Sequence, residues 1–433
     1  MPTPDEWRSE AMVGLAEAVR FQRDLYLYWR EAWAADGLAL TARGLVTRPA
    51  LRRMRARLLA ADGMRAPGTV DADRTEAEDA RLFFVRRLLQ RLGLLRAAPG
   101  DARLLAAEQR EMARYLAHPL AERLRICVRL WVAGGWWPDA PDPRAEPPRL
   151  MTPAPPRIAL ARRRLLDALA AMTLDTIHAL PLAPRASTDR RTRTSVRRRT
   201  ASVPLRADTT MDGATERAAL LGPLAWLGFA VVEETQVEGL RASVYRAGMA
   251  VQALRAVEDE GAALALPEAT GRVVLSPDFT LVAYPPLTAP ELLLLDACAD
   301  EDAIELTARY RLSRPAFARA RALGWNADEV ARRLTALADV PGSPTGGFLF
   351  PANVRVTLDD WERHVERLRL TRDARIVTTR TAETLDALLA DTRARHWVER
   401  RLAPTAALLV REGVAPVRAW LLRHGELPAV SEA

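Results

Sequence analysis

The most informative segment of this chain lies in its C-terminal third and reads Phe350-Pro-Ala-Asn-Val-Arg-Val-Thr-Leu-Asp-Asp-Trp361. The spacing of Leu358 and Trp361 puts both side chains on one helix face, because residues three apart are neighbours on a helix surface. Burial of the tryptophan supplies much of the packing energy of a small domain. Pro351 is compatible with a short edge strand before this helix. We therefore interpret the segment as part of a packed core.

The residues upstream of this segment predict a small α/β domain. Gly271-Arg-Val-Val-Leu-Ser-Pro-Asp-Phe279 opens a β-branched run that Ser-Pro-Asp splits into two short strands. Ser313 and Asn326 stand where N-caps are expected, each in front of a helix. Gly324 is expected to end the first of these helices in the left-handed conformation.

These segments resemble the N-terminal domain of XPB/Ssl2-type helicases, which also occurs as a helicase-associated module in bacterial proteins without a motor. The positions that carry the resemblance are Tyr310, Leu312, Gly324, Pro351, Asn353, Val354, Leu358 and Trp361. We interpret them as structural residues. The resemblance implies a module that docks a partner, either an XPB-type helicase or a paired copy of the same domain.

Two regions nearer the N-terminus share one order of elements, namely a helix, a two-stranded hairpin and a helix. In residues 83–116 the hairpin turns at Pro99-Gly100-Asp101, and in residues 216–257 it turns at Glu238-Gly239. This order is the ending of a winged helix-turn-helix and predicts tandem winged-helix-like units. Winged helices followed by such a module also resemble, in architecture, the TFIIH subunit that clasps XPB.

The predicted fold class is therefore α+β and mostly α, with tandem winged-helix-like units, a small α/β XPB/Ssl2 N-terminal-like domain and a helical C-terminal tail. The predicted boundaries are a helical, winged-helix-like domain at 1–137, a Pro-rich linker at 138–156, a second winged-helix-like domain at 157–266, the XPB/Ssl2 N-terminal-like domain at 267–380 and a helical segment at 381–433.

Composition excludes several kinds of chemistry. Among 433 residues there is no lysine, so the chain has neither a Walker A lysine nor a Schiff-base amine. Two cysteines, Cys127 and Cys298, exclude a disulfide scaffold and a Cys-based zinc site. The five histidines are dispersed, and no Ser lies in a G-x-S-x-G elbow. We predict no catalytic residue, no metal site, no cofactor and no enzymatic activity.

One segment accounts for most of the net charge of +8. Residues 185–206 contain eight arginines and one acid, Asp189, and are nearly free of large apolar residues, so we predict a disordered insertion. Such a polycation can contact phosphates, although a solvated linker is an equal alternative. The candidate nucleic-acid-binding residues are Arg190, Arg191, Arg193, Arg197, Arg198 and Arg199.

The sequence predicts neither secretion nor a membrane span. Met1-Pro-Thr-Pro-Asp-Glu-Trp lacks the basic and apolar regions of a signal peptide, and no apolar run approaches the length of about 20 residues that a bilayer needs. We therefore expect a cytoplasmic location without membrane contact.

Three functions remain open at this point. The first is a non-enzymatic, DNA-associated accessory protein that docks a partner such as an XPB-type helicase, as in DNA repair or transcription. The second is a winged-helix transcriptional regulator in which the C-terminal module mediates dimerisation. The third is a protein-interaction scaffold without nucleic-acid binding.

Overall fold

The computed structural model contains two compact units, Met1–Glu362 and Arg363–Ala433. The chain is mixed α+β and mostly helical, which confirms the coarse fold class. The predicted boundaries of the smaller domains stay predictions. The residues that the structure describes are 4–61, 75–137, 149–173, 178–180, 213–237, 240–255, 266, 272–284, 286–304, 307–338, 350–365, 375–410 and 412–426.

The first repeat is built around a long N-terminal helix. Its elements are α1 (Pro4–Ala34), β1 (Leu38–Ala39), α2 (Arg48–Ala61), a 3-10 turn (Glu76–Glu78), α3 (Ala80–Arg91), β2 (Leu95–Ala98), β3 (Asp101–Ala107), α4 (Gln109–Ala117) and α5 (Leu120–Ala133). The three strands form an antiparallel sheet in the order β1-β3-β2.

The second repeat has the same sheet order. Its elements are α6 (Pro156–Ala171), β4 (His178–Ala179), α7 (Gly213–Ala219), a π turn (Leu220–Leu224), β5 (Ala230–Val237), β6 (Leu240–Ala247), a 3-10 turn (Met249–Val251) and α8 (Gln252–Arg255). The strands pair in the order β4-β6-β5. Helix α6 ends at Ala171, and His178 pairs with Tyr245 as a strand residue.

The two repeats approach each other closely at Gly228. This residue has φ +74°, and a Cβ there would lie 2.2 Å from the backbone oxygen of Gly14 in α1. Any larger residue would push the long helix away from the start of β5. A glycine is therefore required both by the backbone conformation and by the space.

The third part of the chain contains the segment from Phe350 to Trp361. Its elements are β7 (Arg272–Leu275), β8 (Thr280–Tyr284), α9 (Ala289–Cys298), β9 (Ala299–Ile304), β10 (Ala308–Leu312), α10 (Arg314–Ala322), α11 (Ala327–Ala338) and α12 (Ala352–Val365). The antiparallel sheet has the order β7-β8-β10-β9. Side chains alternate along β7, β8 and β10, so one face of these strands is buried and the other is open to solvent.

The second unit is not the purely helical tail that the sequence predicted. It contains β11 (Arg375–Thr378), α13 (Ala382–Ala390), a 3-10 turn (Arg395–Trp397), β12 (Val398–Ala403), β13 (Ala406–Leu409) and α14 (Val414–Arg423). The strands form a sheet in the order β11-β13-β12. Pro404 lies in the hairpin between β12 and β13, and the core joins Ala407 and Leu409 to Leu385, Leu388 and Trp420.

Within the part of the chain that the structure describes, no helix is both long enough and apolar enough to cross a membrane.

Asp391 is the carboxylate through which we expect acid to destabilise the second unit. Asp391 accepts hydrogen bonds from the Trp420 indole at 2.7 Å and from the amides of Arg393 and Ala394, and these bonds hold its pKa below the ordinary value of 3.8. A carboxylate whose pKa is lower in the folded state than in the unfolded state stabilises the fold at every pH above its unfolded-state pKa. That stabilisation is lost as the pH falls through the folded-state pKa. We expect Asp391→Asn to lower the melting temperature at neutral pH and the difference to shrink in acid.

The measurement is a thermal melt of both proteins followed over a pH series that extends below pH 3.8. Glu399→Gln, at an exposed position on β12, serves as the control and should behave as the unsubstituted protein does. A difference between Asp391→Asn and the unsubstituted protein that stays constant across the series would contradict the prediction.

Candidate docking and nucleic-acid interface

The motif around Trp361 forms the packed centre that its spacing predicted. Val354 and Leu358 are buried, and the Trp361 ring lies between two phenylalanines, 6.3 Å from Phe279 and 6.1 Å from Phe317 between centroids. The half-buried indole thus joins α12 to the β7–β8 turn and to α10.

Asn353 fixes the start of α12 against the sheet. Its side-chain amide donates to the backbone oxygen of Pro277, in the β7–β8 turn, at 2.6 Å. Pro351 was expected in an edge strand, and this was wrong: it directly precedes α12, and its carbonyl accepts from the Arg355 amide at 3.1 Å. Proline suits this position because the first amides of a helix have no partner within it.

The other motif positions are also structural in their surroundings. Tyr310 and Leu312 are buried on the covered face of the sheet. Gly324 ends α10 with φ +90°, as predicted. The two predicted N-caps are confirmed, since the side-chain oxygens of Ser313 and Asn326 accept from Ala316 and Glu329 amides.

A polar cluster, buried at Tyr26 and Asp296 and more exposed at Glu301, joins this module to α1. The Tyr26 hydroxyl donates to Asp296 at 2.7 Å, and Arg30 pairs with Asp296 at 2.7 Å and with Glu301 at 2.8 Å. Burial raises the pKa of Asp296, while Arg30 and the Tyr26 hydrogen bond oppose the rise. The four side chains Tyr26, Arg30, Asp296 and Glu301 are hydrogen-bonded or ion-paired with one another. We therefore assign the cluster a structural role at the junction between α1 and the module and not a catalytic one.

The third helix of the first repeat is enclosed. Every residue of α3 from Leu82 to Leu89 is buried. Phe84 packs against Trp226, which follows the π turn of the second repeat, at 5.4 Å between centroids. The third helix of the first repeat therefore presents no free face, and part of its cover comes from the segment that precedes β5 in the second repeat.

Another surface of the module is exposed and basic. On the open face of the β7-β8-β10-β9 sheet, Arg272 lies opposite Tyr284, and Val274 and Arg309 flank Val282 in register. Arg311 lies two residues further along β10, opposite Thr280. This face was not predicted from the sequence, although the alternation of arginine with apolar residues along β10 is a signal that the sequence contains.

The predicted nucleic-acid residues Arg190, Arg191, Arg193, Arg197, Arg198 and Arg199 lie outside the described residues. Within the described ranges, no group of three or more His, Cys, Asp or Glu side chains is placed to hold a metal ion. Both thiols are buried, and burial raises the pKa of Cys127 to about 11 and that of Cys298 to about 12. Neither cysteine has the low pKa of a nucleophile.

Part of the chain matches a known family model. A family model described as "Helicase conserved C-terminal domain" matches residues 273–403, under a third of the chain. The match begins in β7 and ends with β12, so it covers the module around Trp361 and part of the second unit. It supports a helicase-associated character for this part of the chain. No curated protein matches the chain.

Proposed function

We propose that this protein is a non-enzymatic accessory factor of helicase-type DNA machinery, which docks a partner through the module and contacts nucleic acid. The observation that carries the proposal is the family match over residues 273–403 in a chain without lysine. A motor of the Walker type needs that lysine for its phosphates. A helicase-associated module without its own motor fits a factor that acts on a motor supplied in trans.

The partner that we propose is an XPB-type helicase, or a paired copy of the same domain, which the motif of the module resembles. Purified full-length protein should co-elute with such a helicase in size-exclusion chromatography and should hydrolyse no ATP unaided. ATP hydrolysis by the protein on its own would overturn the proposal. If the protein bound neither the helicase nor a second copy of itself, the docking role would be overturned.

The two N-terminal repeats are proposed to be winged-helix-like units. The order helix, strand, helix, helix, strand, strand of the first repeat and the first-third-second sheet order that both repeats share support this assignment. Winged-helix regulators read DNA by placing their third helix in the major groove. Because α3 is buried from Leu82 to Leu89, the packing favours an accessory factor over a sequence-reading regulator.

Nucleic-acid contact is proposed for the arginine-rich segment 185–206. Six substitutions of arginine by serine, at 190, 191, 193, 197, 198 and 199, should weaken binding to a generic duplex and make it less dependent on salt. The slope of the logarithm of the binding constant against the logarithm of the salt concentration should become shallower by up to about 5, because each duplex phosphate that an arginine neutralises contributes about 0.9. The measurement is a mobility shift at two salt concentrations.

Arg129, Arg157 and Arg163, exposed on α5 and α6, provide a control for charge loss elsewhere, and their replacement by serine should have a smaller effect. Unchanged binding by the sixfold variant would show that the segment is a linker. A strong preference for one DNA sequence would favour the transcriptional regulator instead.

A further inference from the structure

We infer that the open face of the β7-β8-β10-β9 sheet is a binding surface for single-stranded nucleic acid. The inference rests on the proposed function and identifies a second nucleic-acid site, on the folded part of the chain, besides the arginine-rich segment 185–206. It depends on a different part of the chain, so the two can be tested separately.

The face is basic because its arginines are not neutralised locally. Arg272, Arg309 and Arg311 are exposed, and none of them forms a hydrogen bond or ion pair with another described residue. The carboxylate opposite Arg311 is Asp300, which is already engaged by Arg319 at 2.9 Å and by the Ser313 hydroxyl. The three guanidinium groups therefore remain available for an anionic ligand.

The spacing of these cations suits an extended backbone. Arg309 and Arg311 lie two residues apart on one strand, which separates their Cα atoms by about 7 Å. Arg272 lies across the sheet on the edge strand β7. Guanidinium groups bind phosphate oxygens in a bidentate manner. A polynucleotide that crosses the sheet could thus place successive phosphates against separate arginines.

An aromatic ring and apolar side chains lie between the cations. Tyr284 is 42% exposed and faces Arg272, while Val274 is 37% exposed beside Val282. Exposed aromatic rings flanked by cations are what single-strand binding surfaces use to stack bases. An acidic peptide would need the charges but not the ring, so the combination favours unpaired bases over a protein ligand.

The test is fluorescence anisotropy of a labelled oligothymidylate with full-length protein. Replacing Arg272, Arg309 and Arg311 by serine should reduce the salt slope by up to about 2, at about 0.7 for each single-strand phosphate. Tyr284→Ala should weaken binding about tenfold, whereas Tyr284→Phe, which keeps the ring, should bind normally. The matched charge control is the serine triple variant at 129, 157 and 163, and thermal melts establish that each variant is folded.

The sixfold variant of segment 185–206 separates the two proposals. If the sheet binds single strands, that variant retains binding that disappears when the sheet substitutions are added. If the sheet variants bind as the unsubstituted protein does, the inference is overturned while the proposed function stands. If a polyglutamate peptide bound as tightly as the oligothymidylate and kept that affinity in Tyr284→Ala, the face would be assigned to an acidic protein partner. That result would also overturn the inference.

Discussion

Replacement of Glu76 by alanine is expected to lower the free energy of unfolding by about 3–5 kcal/mol, because it leaves a buried arginine without its counter-charge. Glu76 is fully buried and Arg86 is 2% exposed. One carboxylate oxygen accepts from the Arg86 Nε at 2.6 Å and from the Tyr28 hydroxyl at 2.8 Å, and the other accepts from the Val46 amide. The single substitution therefore breaks bonds to α1, to α3 and to the loop before α2. Urea denaturation followed by tryptophan fluorescence measures the loss.

A paired replacement distinguishes charge burial from loss of volume. Glu76→Leu combined with Arg86→Met removes both charges and should cost much less than Glu76→Ala, because buried ion pairs often exchange for apolar pairs at little net cost. Glu111→Ala, in an exposed pair with Arg114, is the control and should change stability little. If the double variant is as unstable as the single one, the uncompensated charge is not the cause.

The local signals of the sequence were sufficient where one short segment determines the outcome. Ser313 and Asn326 cap helices, and Gly324 ends one, because capping depends on neighbouring residues and on the freedom of glycine. The Leu358 and Trp361 spacing likewise located the inward face of α12, on which Leu358 is buried and Trp361 is half-buried. The same locality misled at Pro351, which was compatible with a short edge strand but directly precedes α12.

Elements that form only through contacts with distant residues could not be predicted from local sequence. β12 runs Val-Glu-Arg-Arg-Leu-Ala, a composition that favours helix, and it becomes a strand only through pairing with the buried residues of β13. Glu76 looks like a surface residue until the fold brings Tyr28, 48 positions away, to its side chain. The basic face of the sheet required the register between Arg272 and Tyr284, which no local pattern supplies.

Phe84→Ala is expected to cost about 3–5 kcal/mol of stability, because it opens a cavity where α3 packs against the segment that precedes β5. Phe84 is fully buried. Its ring lies 5.9 Å from that of Phe21, 5.4 Å from that of Trp136 and 5.0 Å from that of Trp137, between centroids, and Trp226 of the second repeat completes the cluster. Chemical denaturation measures the loss, and a change in tryptophan emission should accompany it.

The size of this effect also tests the argument that α3 is a structural helix and not a reading helix. Phe84→Leu, which keeps an apolar side chain, should cost clearly less than alanine, and Leu160→Ala at an exposed position on α6 should cost little. Removal of an anchor from a helix that is packed on all sides must destabilise the unit, whereas a helix held ready for a DNA groove tolerates it. If Phe84→Ala lowered the free energy of unfolding by less than about 1 kcal/mol, α3 would again be a candidate DNA-recognition helix.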